Sequence, residues 1–229
     1  MNPYTPQQSY QKALEVGKEA AYTAADIMSR YQRDGFKVRL KGKNDLVTQA
    51  DLDCEKAIIE TIQKYFPDDL FLAEESRQSS TLTKHRTWII DPIDGTTNFA
   101  HGFPVYCTSI ALWEGGEAKA GIVYQAGSNE LFTAVKGGGA FLNEEEIRVS
   151  DAEYLEECLI GTGFPYKNFE LLSHYLELFK GLLEKSQGVR RPGAASYDLC
   201  CVAAARFDRF YEHGLTDWAV AAGALISRQ

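Results

Sequence analysis

The run Thr87-Trp88-Ile89-Ile90-Asp91-Pro92-Ile93-Asp94-Gly95-Thr96 constrains the fold more than any other part of this 229-residue chain. Its first four residues form an apolar segment of strand length. Asp91 ends that segment. Pro92 lacks an N–H and fixes φ, so the chain turns there. Asp94 follows in the expected turn, and Gly95-Thr96 opens a further short helix. Two carboxylates held this close repel each other unless a cation sits between them. Taken alone, the pair is also explained by two caps, Asp91 on the turn and Asp94 on the helix.

The flanking sequence bears on that choice. Leu70-Phe71-Leu72-Ala73 reads as a second buried strand and ends in Glu74-Glu75. A helix is expected from near Ala50 to before Pro67, with Ile58, Ile59, Ile62 and Phe66 as its apolar stripe. Asp51 and Asp53 fall in its first turn, where the helix dipole favours acidic residues. Gln7 to Tyr31 reads as another helix. If Asp51, Glu74, Asp91 and Asp94 converge with Thr96, the site offers only oxygen ligands, which suits a hard cation such as Mg²⁺. The four histidines are scattered, and the five cysteines contain no CxxC pair. The cysteines read as reduced, mostly buried thiols of a cytoplasmic protein.

Val105 to Val149 reads as a meander of strands divided by Gly115-Gly116, Gly127-Ser128-Asn129 and Gly137-Gly138-Gly139, hence an antiparallel sheet. The last glycine run lacks a following Lys-Ser/Thr and reads as a hairpin break. Beyond Ser150 the pattern alternates. Strands are expected at Cys158–Thr162, Val189–Arg191 and Phe207–Glu212, and helices at Asn168–Glu184, Ala194–Ala205 and Trp218–Ser227. Alternation of this kind predicts an α/β layer. The fold class is therefore mixed α/β (α+β). The boundary is expected near 150: residues 1–150 hold a helix pair, an antiparallel sheet and most metal ligands, and residues 151–229 form a C-terminal α/β domain. A net charge of −8 argues against a basic nucleic-acid surface. No apolar run reaches membrane-spanning length, so no membrane association is expected.

Several motifs in order resemble the inositol monophosphatase family of lithium-sensitive, magnesium-dependent phosphatases. They are Asp45-Leu46-Val47-Thr48-Gln49-Ala50-Asp51, Ala73-Glu74-Glu75-Ser76, Trp88 through Phe99 with His101-Gly102-Phe103-Pro104, Gly161-Thr162-Gly163-Phe164-Pro165, Gly193-Ala194-Ala195-Ser196 and Trp218-Ala219-Val220-Ala221-Ala222-Gly223. The resemblance implies a layered α-β-α-β-α sandwich and a homodimer. It implies two or three Mg²⁺ per site, held by Glu74, Asp91, Asp94 and the carbonyl of Ile93. Asp51, Glu74 and Thr96 would serve catalysis, Thr96 with Asp51 orienting a metal-activated water for in-line displacement. Asp94, the N–H groups of Gly95 and Thr96, the main chain of Ala195 and the carboxylate of Glu212 would hold the substrate. Glu212 also reads as a solvated strand-end residue and Ala195 as a small residue for helix packing, while Arg190-Arg191 reads either as a solvated basic pair or as a site for a second anionic group.

Two departures from the family stand out. Ala219 replaces an aspartate that would complete the second metal site, which weakens that site. Asp217, two residues earlier, lies about 200° around a helix and is a poor substitute. The chain also stops at Gln229, short of the family's length, so the C-terminal part is expected to be incomplete. The implied substrate is a small phosphorylated metabolite such as inositol monophosphate. Fructose-1,6-bisphosphate, histidinol phosphate and a 3′-phosphoadenosine nucleotide remain open, as does a catalytically impaired binding or regulatory role.

Overall fold

The computed structural model describes residues 5–42, 45–76, 82–165 and 169–229. Helix α1 (Pro6–Asp34) starts at Thr5, whose side chain accepts from the Gln8 N–H while the Gln8 side chain answers it, a capping box. A hairpin of β1 (Val38–Gly42) and β2 (Asp45–Thr48) leads into α2 (Gln49–Gln63). α1 presents Ala13, Ala20, Ala21 and Ala24, all fully buried, so α2 and the sheet beneath approach closely.

That sheet has seven strands in the order β3 (Leu70–Ala73), β4 (Thr87–Asp94), β5 (Cys107–Glu114), β6 (Glu117–Gln125), β7 (Glu130–Val135), β8 (Ala140–Leu142) and β9 (Glu145–Ile147). β3 and β4 run parallel, and every later pair is antiparallel, as the glycine-divided meander predicts. Alternate residues of β4 feed different cores. Trp88 and Ile90 join Ile58, Ile62 and Met28 under the helix pair, whereas Ile89 joins Val123, Cys200 and Ile226 on the other face.

The second face is covered by α5 (Ala195–Ala203) and α6 (Asp217–Ile226). Beyond them lies a parallel three-stranded sheet, β11 (Gly188–Arg190), β10 (Leu159–Thr162) and β12 (Arg209–Tyr211) in spatial order, with α4 (Leu172–Lys185) packed on it. The layers thus follow the expected order of helices, sheet, helices, sheet, helix. A short helix, α3 (Thr96–Ala100), follows β4 directly.

Some boundaries differ from the sequence reading. Asp94 is not in a turn: after a bulge at Pro92-Ile93 the strand resumes and Asp94 pairs with Cys107. Proline is tolerated there because the bulge removes the ladder hydrogen bond it could not make. Of the two acidic residues placed in the first turn of α2, only Asp51 lies there. The helix expected from Asn168 begins at Leu172, and residue 168 lies outside the described residues.

α5 and α6 meet through Gly223. A Cβ there would stand 2.8 Å from Leu199 Cβ and 2.9 Å from the Ser196 carbonyl oxygen. Gly223→Ala gains about 1 kcal/mol of helix propensity. The backbone clash outweighs it, because overpacking costs about 1–3 kcal/mol. A net lowering of the urea midpoint is expected.

Candidate active site

The acidic residues converge because strand ends and helix starts meet at one edge of the large sheet. β3 delivers Glu74, whose N–H donates to the Ile90 carbonyl at 3.1 Å, so Glu74 lies beside Asp91 across the parallel pair. β4 delivers Asp91, 3 % exposed, and then Asp94 beyond the bulge. α2 delivers Asp51, 1 % exposed. Its Oδ2 accepts from the Thr48 N–H at 2.7 Å and the Thr48 hydroxyl at 2.6 Å. Its Oδ1 accepts from the Thr96 hydroxyl at 3.2 Å, which also lies 3.0 Å from the Ile93 carbonyl oxygen. The structure therefore brings Asp51, Thr96 and Ile93 into one hydrogen-bonded group.

Gly95 makes the passage from β4 to α3 possible. Its φ of +91° is left-handed, a region open to glycine at little cost. A Cβ there would also meet the Val105 carbonyl oxygen at 2.9 Å. The side-chain amide of Asn98, one turn on, donates to the carbonyls of Val105 and Pro192 at 2.7 and 2.9 Å. It ties α3 to the loop before α5.

That loop places the remaining residues. Ala195 is the first residue of α5. The Ser196 N–H donates to Asp94 Oδ2 at 2.6 Å, and the Ser196 hydroxyl to the Ala219 carbonyl at 3.0 Å. Glu212 follows β12 and lies against Gly163: a Cβ on Gly163 would stand 1.9 Å from Glu212 Cδ. Arg191 stacks on Phe164, 5.4 Å from the ring centroid, and its charge reaches both Glu212 and Asp198. Arg190 instead donates to its neighbour's carbonyl on Val189.

The protonation behaviour is that of a crowded acidic site. Burial, then the charges of Glu74 and Asp94, push Asp91 well above the ordinary carboxylate range. Burial also raises Asp51. Burial carries Asp94 up to about 6, against the opposing pull of the Ser196 N–H. Glu212 is pushed up to about 7 by burial and then by Asp94. Asp198, on α5, is pushed up to about 8 by burial, Asp94 and Glu212. Neither Asp198 oxygen has a hydrogen-bond partner. The Gly193 N–H is near enough to favour its charge but is out of bonding geometry.

These residues fit a magnesium-type cation. Asp91 Oδ1 is buried with no partner, as a ligand atom awaiting a cation would be. Among the described residues no three acidic, histidine or cysteine side chains form a preassembled cage. Mg²⁺ does not require one, because it is commonly held by one or two carboxylates and retains several waters. A cleft of about 670 Å³, lined by Phe36, Lys37, Arg39, Thr48 and Leu52 among others, reaches Glu74 at the margin of the cluster.

Of the sequence-predicted residues, Glu74, Asp91, Ile93, Asp94, Gly95 and Thr96 follow or belong to β3, β4 and the start of α3, while Asp51 comes from α2, Ala195 from α5 and Glu212 from the end of β12. Asp217 does not help: it is exposed at the start of α6. Sequence reasoning missed Asn98 and Asp198, although both sit inside or next to the quoted motifs. Gly163 was quoted only as part of a motif. Gly163→Ala would displace the Glu212 carboxylate. A several-fold rise in KM with a nearly unchanged melting temperature is expected from steady-state kinetics and thermal unfolding.

All five cysteines are free and buried. No helix of the described residues is long and apolar enough to cross a membrane.

Known proteins resemble the whole of this arrangement. An inositol-1-monophosphatase of Rhizobium meliloti is 39% identical over 218 residues, covering 94% of this chain and 82% of the relative. A Nus factor SuhB of Pasteurella multocida matches with the same identity and coverage. The crystal structure of the extragenic suppressor protein suhB from Bartonella henselae superposes with a TM-score of 0.89 at 40% identity, covering 95% of this chain and 84% of that one. Residues 9–229 match the sequence pattern of one family. The chain belongs to the inositol monophosphatase family.

Proposed function

We propose that this protein is a Mg²⁺-dependent phosphomonoesterase acting on a small polyol or sugar phosphate, with inositol monophosphate as the first substrate to try. One observation carries the reading: Asp91, at the bulge of β4, is buried with an unpartnered oxygen and feels the charges of both Glu74 and Asp94. Glu74, Asp91, Asp94 and the Ile93 carbonyl would hold the cation, which when bound neutralises charge on the phosphoryl oxygens and lowers the pKa of water. Phosphoryl transfer depends chiefly on positioning and charge neutralisation, so no side-chain nucleophile is needed.

The chain's own residues have separate tasks. The Thr96 hydroxyl, held by Asp51, orients the attacking water and passes its proton toward Asp51. Thr48 keeps Asp51 in place through two hydrogen bonds, so Asp51 does not turn toward the cation. The N–H groups of Gly95 and Thr96 meet the phosphate. Glu212 and the main chain of Ala195 receive the leaving group's hydroxyls.

Phosphate release from inositol monophosphate should need millimolar Mg²⁺ and stop on adding EDTA. A rate indifferent to EDTA would overturn the reading. A second reading, a binding or regulatory role without catalysis, is favoured by Ala219, which offers the second cation no side-chain ligand, and accords with the name Nus factor borne by the Pasteurella relative. It predicts a folded protein with no turnover of any small phosphate ester at saturating Mg²⁺.

A further inference from the structure

We propose that Asp198 replaces the carboxylate that position 219 lacks, supplying charge to a second divalent cation beside Asp94. The inference rests on the phosphatase reading above and deepens it.

Asp198 is 1 % exposed, and neither of its oxygens has a hydrogen-bond partner. A buried carboxylate without donors is costly unless a cation or a proton accompanies it. Asp198 lies in the first turn of α5, where the helix dipole favours a negative charge, yet its oxygens cap no N–H, and its own N–H is committed to the Ala194 carbonyl at 2.9 Å.

The helix geometry aims it at the site. Asp198 lies four residues after Ala194, so the two share one face of α5. Ala194 is the residue that abuts Gly95, its Cβ 3.3 Å from where a Gly95 Cβ would stand. Helical side chains lean back toward the N-terminus, over the preceding turn. The Asp198 carboxylate therefore points along α5 toward Ala194 and Ala195, the end at which the next N–H, that of Ser196, binds Asp94. Asp94 is accordingly the strongest charge acting on it.

Other candidates for the vacant role are committed elsewhere. Ser196 is already bound: its N–H donates to Asp94 Oδ2 at 2.6 Å and its hydroxyl to the Ala219 carbonyl at 3.0 Å. Asp217 is exposed. Glu212 lies against Gly163, on the leaving-group side. The charge of Arg191 acts on Asp198, but neither Asp198 oxygen has a hydrogen bond.

The test is Mn²⁺ binding to the full chain, counted by electron paramagnetic resonance of free Mn²⁺ and by calorimetry, without substrate. The unaltered protein should bind two ions per chain. Asp198→Asn should leave the tighter ion unchanged and weaken the other at least tenfold. Adding Ala219→Asp to Asp198→Asn should restore the second ion. Asp91→Asn should weaken both, which separates this proposal from the site reading beneath it: ions lost in Asp91→Asn but unmoved in Asp198→Asn would overturn the role of Asp198 alone. A single ion in the unaltered protein that becomes two in Ala219→Asp would also overturn it. So would unchanged Mn²⁺ binding with a raised KM in Asp198→Asn, which would place Asp198 against the leaving group.

Discussion

Asp91→Asn is expected to lower Mg²⁺-dependent phosphate release by about a thousand-fold, the scale set by removing one preorganised electrostatic contact at a reacting group. The effect is large because Asp91 is the buried carboxylate that faces the charges of both Glu74 and Asp94, and at 3 % exposure its position leaves no room for another side chain to replace it. The same substitution should stabilise the metal-free protein. It removes a buried carboxyl whose charged form is opposed by burial and by two like charges. The pair of measurements is discriminating. A variant that is simply damaged loses both activity and melting temperature, whereas this one should lose activity and gain stability. Falling stability would show that Asp91 supports the fold and not a cation.

The second large effect is on stability against pH. Asp94, Glu212 and Asp198 are raised to about 6, 7 and 8 respectively. Each raised group binds its proton more tightly in the folded state than in the unfolded one. Its contribution is therefore complete at about pH 4, near the unfolded values, and is lost as pH climbs through the folded values. The metal-free protein should thus melt at falling temperature from pH 5 to pH 8. Mg²⁺ should reverse the trend by giving the ionised carboxylates a partner. At a hundred times its dissociation constant a ligand adds about 2.7 kcal/mol, and a chain of this size gains about 2–4 °C per kcal/mol. A rise of about 5–10 °C is expected at pH 8 and much less at pH 5. A Mg²⁺ effect equal at both pH values would sink the idea that these raised carboxyls answer to the cation.

These expectations draw on different layers of the molecule. Asp91 and Glu74 were legible because each ends an apolar strand, a pattern that needs only local hydrophobicity to recognise, and Asp94 because it follows Asp91 by three residues. The partnership of Thr96 with Asp51 came from motif resemblance; nothing local joins residues separated by a helix and two strands. The bulge that returns Asp94 to its strand was not legible. Proline after Asp91 signals a break, and only pairing with Cys107 shows that the strand continues beyond it. Asp198 was invisible for a related reason. On a helix of small residues an aspartate reads as an ordinary polar position, and its lack of a hydrogen-bond partner appears only once the chain is packed around it.

The sequence by itself determined most of the strands and helices, though not the β1–β2 hairpin, the antiparallel course of the strands after Val105, and the fall of Asp51, Glu74 and Asp91 at element ends. Those features follow from hydrophobic period, glycine turns and the chemistry of proline, all of which act within about ten residues. The tertiary structure decided which carboxylates acquire partners and which do not. Thr48 and Thr96 satisfy Asp51, Ser196 satisfies Asp94, and Asp91 and Asp198 keep bare oxygens. Whether a buried charge has a donor depends on atoms brought from distant parts of the chain, so it is settled only when the layers close on one another.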